Sequence, residues 1–291
     1  MRAEQRARRD DFLNKLGAGP LGARPLVMGI LNVTPDSFSD GGRFLAADAA
    51  VAHAKAMAAQ GCAIIDIGGE STRPGATPVP EVEELARIGA VVVQIANELG
   101  VPVSVDTYKA SVAARAVELG AILINDVWGL QKDPGMADTV AAVEAAVVIM
   151  HNRSEKDEAL DVVTDLRRFF DRSLALAARA GIPERYIILD PGIGFGKTAR
   201  QNIDAIVRLG ELKDYGRPIL IGASRKKFFG SRVPGGLARG AEADLVGTIA
   251  VSLAAAAAGA SLFRVHDVAE HVAALALFAA LRQPRSGSTA D

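Results

Sequence analysis

The chain has 291 residues, of which 49% are hydrophobic and 23% are charged, so it can bury a large core and is not a disordered segment. Its 33 Lys and Arg nearly balance its 34 Asp and Glu, which gives no overall charge for binding nucleic acid or an anionic membrane surface. The single cysteine, Cys62, excludes an internal disulfide, and the charged start MRAEQRARRD has no apolar signal core, so we expect a cytoplasmic protein.

Eight short apolar runs alternate with Ala-rich helical patterns along the chain, as expected for repeated βα units. The predicted strands are 26–32, 63–67, 102–106, 121–125, 146–150, 186–190, 218–222 and 261–265. The predicted helices include 47–60, 81–99, 111–119, 161–180 and 241–258. A glycine follows several helical patterns, which predicts left-handed helix ends at Gly61, Gly100, Gly120, Gly181 and Gly259.

Eight βα units predict a single-domain α/β fold, the TIM (β/α)8 barrel, whose loops after the strands form one catalytic mouth. An open doubly wound sheet is the competing architecture, and it is disfavoured because no GxGxxG opens a helix after the first strand. We expect an N-terminal extension over 1–20, the barrel over 21–283 and a flexible tail over 284–291. The apolar stretch near 245–260 is about one helix long, and we expect a buried helix there rather than a membrane span.

Polar residues recur where the predicted strands end, and a barrel would bring them to one rim. They are Asn32, Asp66, Asp106, Asn125, Asp190, Lys226, Arg264 and His266. A single Asp or Asn at a strand end is often only a turn former or helix cap. The functional interpretation therefore depends on all these residues meeting at one rim. The set combines hydrogen-bond acceptors with cationic donors, which suits a flat heterocycle carrying an anion. His53 and His151 have weaker claims to a ligand contact.

Two long loops would complete the mouth, NVTPDSFSDGG after the first strand and GGESTRPGATPVP after the second. In the second loop, Thr72 supplies a hydroxyl and Arg73 a fixed positive charge, so a diphosphate is a plausible ligand. The chain contains no HExxH, GxSxG or Walker A motif and no clustered Cys and His ligands. A metal would therefore be a hard cation such as Mg²⁺, which needs few protein oxygens beside substrate phosphates; Asn32 could supply one.

Seven segments, in order, resemble the motifs of the dihydropteroate synthase family of pterin-binding barrels. They are GILNVTPDSFSDGG, DIGGESTRPGA, SVDTYK, INDV, LDPGIGFGK, GASRK and FRVHDV, and together they extend over nearly the whole chain. The resemblance implies a transferase that condenses (7,8-dihydropterin-6-yl)methyl diphosphate with 4-aminobenzoate, giving 7,8-dihydropteroate and diphosphate. It also implies Mg²⁺, small-molecule substrates and a homodimer.

Carried over to this sequence, the resemblance implies a role for each of three groups of residues. The pterin diphosphate site would comprise Thr72, Asp106, Asn125, Asp190, Lys226, Arg264, Val265 and His266, with Arg264 against the ring and Arg73 at the diphosphate. The 4-aminobenzoate site would comprise Thr72, Pro74, Phe195 and Lys226, and Asn32 would bind the metal. Catalysis would depend on Asp106, Asp190, Lys226 and Arg73.

The sequence departs from the family pattern at two places. Lys227 follows Lys226 where a small Ser is usual, which leaves sulfonamide sensitivity open, and MHNRSEKDE replaces the commoner MHM-type string, so His151 receives no role. Two alternative functions remain. One is a methyltransferase acting on methylated tetrahydrofolate, which would need no diphosphate site, and the other is a non-catalytic pterin-binding barrel.

Overall fold

The computed structural model describes residues 1–17, 24–34, 43–71, 77–226 and 240–282. Its strands are β1 (Leu26–Asn32), β2 (Ile64–Gly68), β3 (Val103–Asp106), β4 (Leu123–Asp126), β5 (Ala146–Met150), β6 (Ile187–Asp190), β7 (Leu220–Ile221) and β8 (Leu262–Val265). All eight predicted strands are present, each within two residues of its predicted ends. They are rich in Ile, Val and Leu and buried on both faces, as parallel strands covered by helices require.

The eight strands are parallel and lie in the order β6-β5-β4-β3-β2-β1-β8-β7. The ends of this sheet also meet, because Leu189 of β6 pairs with Ile219 just before β7 and its amide donates to the Pro218 carbonyl at 3.0 Å. The sheet is therefore a nearly closed (β/α)8 barrel, which confirms the predicted fold class. The open doubly wound alternative is wrong.

Helices return the chain along the outside of the barrel. They are α1 (Ala3–Gly17), α2 (Arg43–Ala59), α3 (Glu81–Glu98), α4 (Ala110–Leu119), α5 (Met136–Ala142), α6 (Val162–Ala180), α7 (Ala199–Val207), α8 (Ala241–Ala258) and α9 (Val268–Arg282). Local chemistry sets their ends: the Asp161 side chain accepts from the Thr164 amide to begin α6, and Gly181 ends that helix with φ 81°. All five predicted C-capping glycines have positive φ.

Helix α1 packs on the end of the barrel where the strands begin. The side-chain amide of Gln5 donates to the Val117 carbonyl in the last turn of α4 at 2.8 Å, and Arg9 donates to the Glu144 carbonyl, just before β5. Phe12 of the same helix is buried. The first 17 residues therefore contact the barrel directly. The domain boundary predicted at residue 20 lies outside the described residues, as do the one after 283 and the tail.

Helix α8 has the predicted bounds but not the predicted burial. By length and composition it is apolar enough to cross a membrane, yet only 22% of its residues are buried within the chain. The prediction of a buried helix is therefore wrong. Because α8 joins β7 to β8, which are adjacent parallel strands, it must run back along the outside of the barrel. Its exposed apolar face requires another explanation.

Candidate active site

Side chains from six strands converge where the barrel strands end. Asn32 ends β1, Asp66 lies in β2, Asp106 ends β3, Asn125 is in β4, Asp190 ends β6 and Arg264 is in β8. In a barrel the inward-facing side chains at the carboxyl ends of the strands share one mouth. The structure thus brings together most of the polar residues picked out from the sequence.

Asp66 lies at the centre of this group and is fully buried. Its Oδ2 accepts from Arg264 Nε at 2.6 Å and from Asn125 Nδ2 at 3.0 Å, and its Oδ1 accepts from Ser104 Oγ at 2.6 Å. Arg264 also donates from Nη2 to Asp106 Oδ2 at 2.9 Å. One carboxylate therefore fixes the orientation of the arginine and the amide of the site.

These bonds leave two acceptor atoms unsatisfied. Asn125 uses its Nδ2 on Asp66, so its Oδ1 must point the other way, and Asp106 uses Oδ2 on Arg264. Within the described part of the chain, Asn125 Oδ1 and Asp106 Oδ1 are buried and have no hydrogen-bond partner. A buried polar atom without a partner costs about 1–3 kcal/mol, so such a pair is expected where a ligand supplies the donors.

A second group of side chains comes from the loops after β6 and β7. Asp190 Oδ1 accepts from the Gly192 amide at 2.7 Å, which holds the start of the β6–α7 loop. Lys226 donates to the Ile193 carbonyl, and its Nζ lies 4.5 Å from the centre of the Phe195 ring. Lys226 and Phe195 therefore form one wall of the mouth, adjacent to the Asp190 carboxylate.

The three predicted site residues at the end of β8, Arg264, Val265 and His266, face different parts of the structure. Arg264 faces the barrel interior, so the next side chain, Val265, faces the outer helices, and only its backbone can contribute to the mouth. His266 follows the strand, and its Nδ1 lies 2.9 Å from Ser224 Oγ in the loop after β7. This links the ends of β7 and β8, the region where barrel enzymes commonly bind phosphate.

Burial shifts the pKa values of three side chains at the mouth. Removal from water raises the pKa of Asp106 to about 7, although Arg264 opposes the shift, and it raises the pKa of Asp190 to about 6. Burial also lowers the pKa of Lys226 to about 8, against the attraction of Asp190. These three groups therefore change charge close to neutral pH, as is common at functional sites.

A cation site at this mouth would have to depend on few protein ligands. In the residues that the structure describes, no group of three or more His, Cys, Asp or Glu side chains could hold a metal. Asn32 Oδ1 lies beside Gly68, next to the Asp106 side chain. A single amide oxygen fits Mg²⁺, which usually binds through one or two protein oxygens together with substrate phosphates and water.

Several predicted residues lie outside the described ranges. They are Thr72, Arg73 and Pro74 of the second loop, most of the first loop (35–42) and Lys227. Their predicted roles stay predictions.

The sequence placed Asp66 among the polar residues of the rim, but it assigned no role to Asp66 or to His151. A lone carboxylate inside the apolar run IIDIG is nevertheless the expected signal of a buried polar network. His151 is fully buried and lies 2.7 Å from Lys197 Nζ behind the mouth. Lys197 itself is the last residue of the GIGFGK loop.

The chain is similar to known enzymes over most of its length. A family model described as "Pterin binding enzyme" matches residues 28–266. The dihydropteroate synthase of Bacillus subtilis is 49% identical over 245 residues, which is 84% of both chains.

Solved structures agree with this assignment. A Clostridium difficile dihydropteroate synthase, determined in the presence of pteroic acid, superposes with a TM-score of 0.85 at 46% identity, covering 90% of this chain and 99% of that one. The Xanthomonas albilineans dihydropteroate synthase with 4-aminobenzoic acid gives a TM-score of 0.82 at 44% identity, covering 90% and 94%. The barrel, its polar mouth and these similarities together show that the chain belongs to the dihydropteroate synthases of the pterin-binding enzyme family.

Proposed function

We propose that Asp106, Asn125 and Asp190 bind the pterin ring of the substrate by accepting hydrogen bonds from its ring N–H and amino groups. The observation that carries this proposal is the pair of buried acceptors, Asp106 Oδ1 and Asn125 Oδ1, which lack partners among the described residues. A pterin presents a row of donors along one edge. Lys226 would donate to the acceptors of the same ring, and Arg264 would pack against its face.

As a dihydropteroate synthase, the chain condenses (7,8-dihydropterin-6-yl)methyl diphosphate with 4-aminobenzoate, releasing diphosphate and 7,8-dihydropteroate. The diphosphate end would lie towards the ends of β7 and β8, where His266 is placed beside Ser224. Thr72, Arg73, Arg264 and His266 would hold it, with the Val265 backbone nearby. When bound at Asn32, Mg²⁺ would neutralise part of the diphosphate charge.

The 4-aminobenzoate ring would lie against Phe195 and the side chain of Lys226, with Thr72 and Pro74 closing the site. Support comes from the 4.5 Å approach of Lys226 Nζ to the Phe195 ring, which builds an aromatic wall with a positive charge beside the pterin pocket. Such a wall suits a flat aromatic carboxylate. The Xanthomonas albilineans structure with 4-aminobenzoic acid supports the substrate class.

The reaction would proceed by departure of the diphosphate before attack. The bond between the pterin methylene carbon and the diphosphate oxygen breaks, and its electron pair leaves with the diphosphate, whose charge Arg73 and His266 would stabilise. The cation-like methylene is then stabilised by the Asp106 and Asp190 carboxylates. The uncharged amine of 4-aminobenzoate attacks this carbon and loses a proton, so neither a covalent enzyme intermediate nor a strong base is needed.

The experiment that tests this function follows diphosphate release from the pterin substrate with Mg²⁺, with and without 4-aminobenzoate. Release should depend on 4-aminobenzoate and should collapse in Asp106→Asn, whereas Asp11→Asn on the outer surface of α1 serves as the control. A wild type that binds pterin without turnover would favour a non-catalytic barrel. Methyl transfer from methylated tetrahydrofolate in place of diphosphate release would favour the methyltransferase.

A homodimer formed through α8 would account for the exposed apolar face of that helix. Val246 of α8 is 59% exposed, and the neighbouring helix α9 exposes Leu277 and Leu281. We expect Val246→Glu to convert a dimer to a monomer in sedimentation velocity. Val82→Glu, at a similarly exposed position on α3, should leave the dimer intact, and a monomeric wild type would refute the proposal. A cytoplasmic location fits the single, buried Cys62.

A further inference from the structure

Two buried side chains, His151 and Lys197, and the partly buried Asp165 form a continuous hydrogen-bonded chain behind the β6–α7 loop. His151 follows β5, Asp165 lies in the first turn of α6, and Lys197 immediately precedes α7. Asp165 Oδ2 lies 2.9 Å from His151 Nε2, and His151 Nδ1 lies 2.7 Å from Lys197 Nζ. Arg153 Nε is 3.3 Å from the same Asp165 oxygen. None of these four residues belongs to the pterin site described above.

The chemistry of the three groups permits one arrangement of protons. The Asp165 carboxylate can only accept, so Nε2 of a neutral His151 carries the imidazole proton and donates it to Asp165. The other ring nitrogen, Nδ1, then accepts from Lys197 Nζ. A neutral imidazole agrees with burial, which lowers the pKa of His151 to about 4 against the pull of Asp165. The carboxylate thus orients the imidazole, and the imidazole orients the lysine.

Lys197 uses its remaining donors on the loop that carries Phe195. Its Nζ donates to the Gly192 carbonyl at 3.0 Å and to the Phe195 carbonyl at 3.2 Å. These two residues also close a tight turn, because the Phe195 amide donates to the Gly192 carbonyl at 3.1 Å. The Lys197 side chain therefore joins the two ends of the turn that presents the Phe195 ring to the mouth.

We propose that the Asp165–His151–Lys197 chain is a positioning device that sets the place of Phe195 and thereby the affinity for the arylamine substrate. This inference rests on the proposed assignment of Phe195 to the 4-aminobenzoate site. The pterin carboxylate Asp190 is held mainly by the sheet, and among the described residues Gly192 is its one contact with this turn. Asp190 belongs to the β5–β6 ladder, its carbonyl accepts from the His151 amide at 2.9 Å, and its side chain accepts from the Gly192 amide.

The test compares the KM of each substrate, at saturation of the other, in Lys197→Met and in Lys55→Met as the matched surface control. A displacement of the Phe195 turn should raise the KM for 4-aminobenzoate about ten- to a hundredfold in Lys197→Met, while the KM for the pterin diphosphate rises by a several-fold smaller factor, because in the described part of the chain only the Gly192 amide links the turn to Asp190. Lys55→Met should change neither. Equal increases in both KM values, or no increase in either, would overturn the proposal.

Two variants of His151 separate positioning from mere stability and keep the test decisive if Lys197→Met does not fold. His151→Asn can still accept from Lys197 but loses the link to Asp165, whereas His151→Leu loses both contacts. The 4-aminobenzoate KM should therefore rise less in His151→Asn than in His151→Leu, and equal values in the two would contradict the proposal. Failure of the proposed function would show differently, as absent 4-aminobenzoate-dependent turnover in the wild type and in Lys55→Met.

Discussion

At the scale of single residues, Asp66 controls the site without being placed to contact the substrate. Its Oδ2 holds both Arg264 and Asn125, so Asp66→Ala would remove both contacts. Because a buried hydrogen bond to a charged group contributes about 1.5–3 kcal/mol, we expect kcat/KM for the pterin substrate to fall about ten- to a hundredfold. Steady-state kinetics would measure the effect.

Ser104→Ala provides the control for this prediction. Ser104 donates only to Asp66 Oδ1, the oxygen that holds neither Arg264 nor Asn125. Its loss should lower the free energy of unfolding by about 1 kcal/mol and leave kcat/KM nearly unchanged. Equal kinetic losses in the two variants would mean that Asp66 acts through stability alone.

The buried carboxylates also predict a pH dependence of pterin binding. With pKa values of about 7 for Asp106 and about 6 for Asp190, protonation removes the acceptors as the pH falls. Affinity should therefore decrease below pH 7, by about tenfold per unit once one carboxyl is protonated and more steeply below pH 6. Titration calorimetry from pH 5 to 8 would measure it, and Asp106→Asn should remove the upper of the two steps.

The free protein should respond to pH in the opposite sense. A carboxyl whose pKa is raised on folding binds more protons in the folded state, so its contribution to stability is complete below the unfolded value, about 4. For Asp106 this contribution is lost as the pH rises to about 7. A ligand-free stability that increased over that interval in the wild type relative to Asp106→Asn would contradict the assignment.

The sequence could predict which residues end the strands, but not which of them bond to each other. Asp106, Asn125, Asp190 and Arg264 were found because strand ends in a barrel share one rim. The role of Asp66 was not predicted, because its partners Asn125 and Arg264 lie 59 and 198 residues away along the chain. Those contacts depend on barrel register, which sequence periodicity does not specify.

At the scale of elements, the β6–α7 loop owes its shape to close backbone contact. A Cβ at Gly192 would overlap the carbonyl oxygen of His151, and the residue has φ 64°. Gly192→Ala should therefore displace the loop, destabilise the fold by more than the roughly 1 kcal/mol cost of positive φ, and reduce kcat/KM. Urea denaturation and steady-state kinetics would measure the two effects.

Gly216→Ala measures the energetic cost of a positive φ alone, without a steric clash. Gly216 has nearly the same φ, 61°, but a Cβ there would meet no atom within 4 Å. The Gly216→Ala variant should lower the free energy of unfolding by about 1 kcal/mol and leave kcat/KM unchanged. If Gly192→Ala behaved in the same way, the close packing of the loop on His151 would have no energetic importance.

The sequence could predict where helices and strands end, because local chemistry decides their boundaries. It could not predict how far each helix is buried. The C-capping glycines and the apolar strands are local signals, and the structure agrees with them. Helix α8 was expected to be buried because it is Ala-rich and apolar. Composition does not reveal which side of a helix meets the barrel, and in α8 only residues such as Thr248, Ser252 and Ala255 do.

At the scale of the whole molecule, the two ends of the barrel have separate tasks. The polar mouth lies where the strands end, and α1 packs where they begin, through Gln5, Arg9 and Phe12. In this architecture residues at the beginning of the strands contribute to stability rather than to catalysis. A core defect in α1 should therefore change the stability of the protein without changing its chemistry.

Phe12→Ala tests this separation. Phe12 is 2% exposed, and removing a buried phenylalanine ring costs about 3–5 kcal/mol, so the free energy of unfolding should fall by that amount. Asp11→Ala, at the adjacent exposed position, should be close to neutral because it loses only a surface pair with Lys15. At a temperature where both variants are folded, kcat/KM should equal that of the wild type. A catalytic loss in folded Phe12→Ala would show that the base of the barrel is coupled to its mouth, through the strands that both ends share.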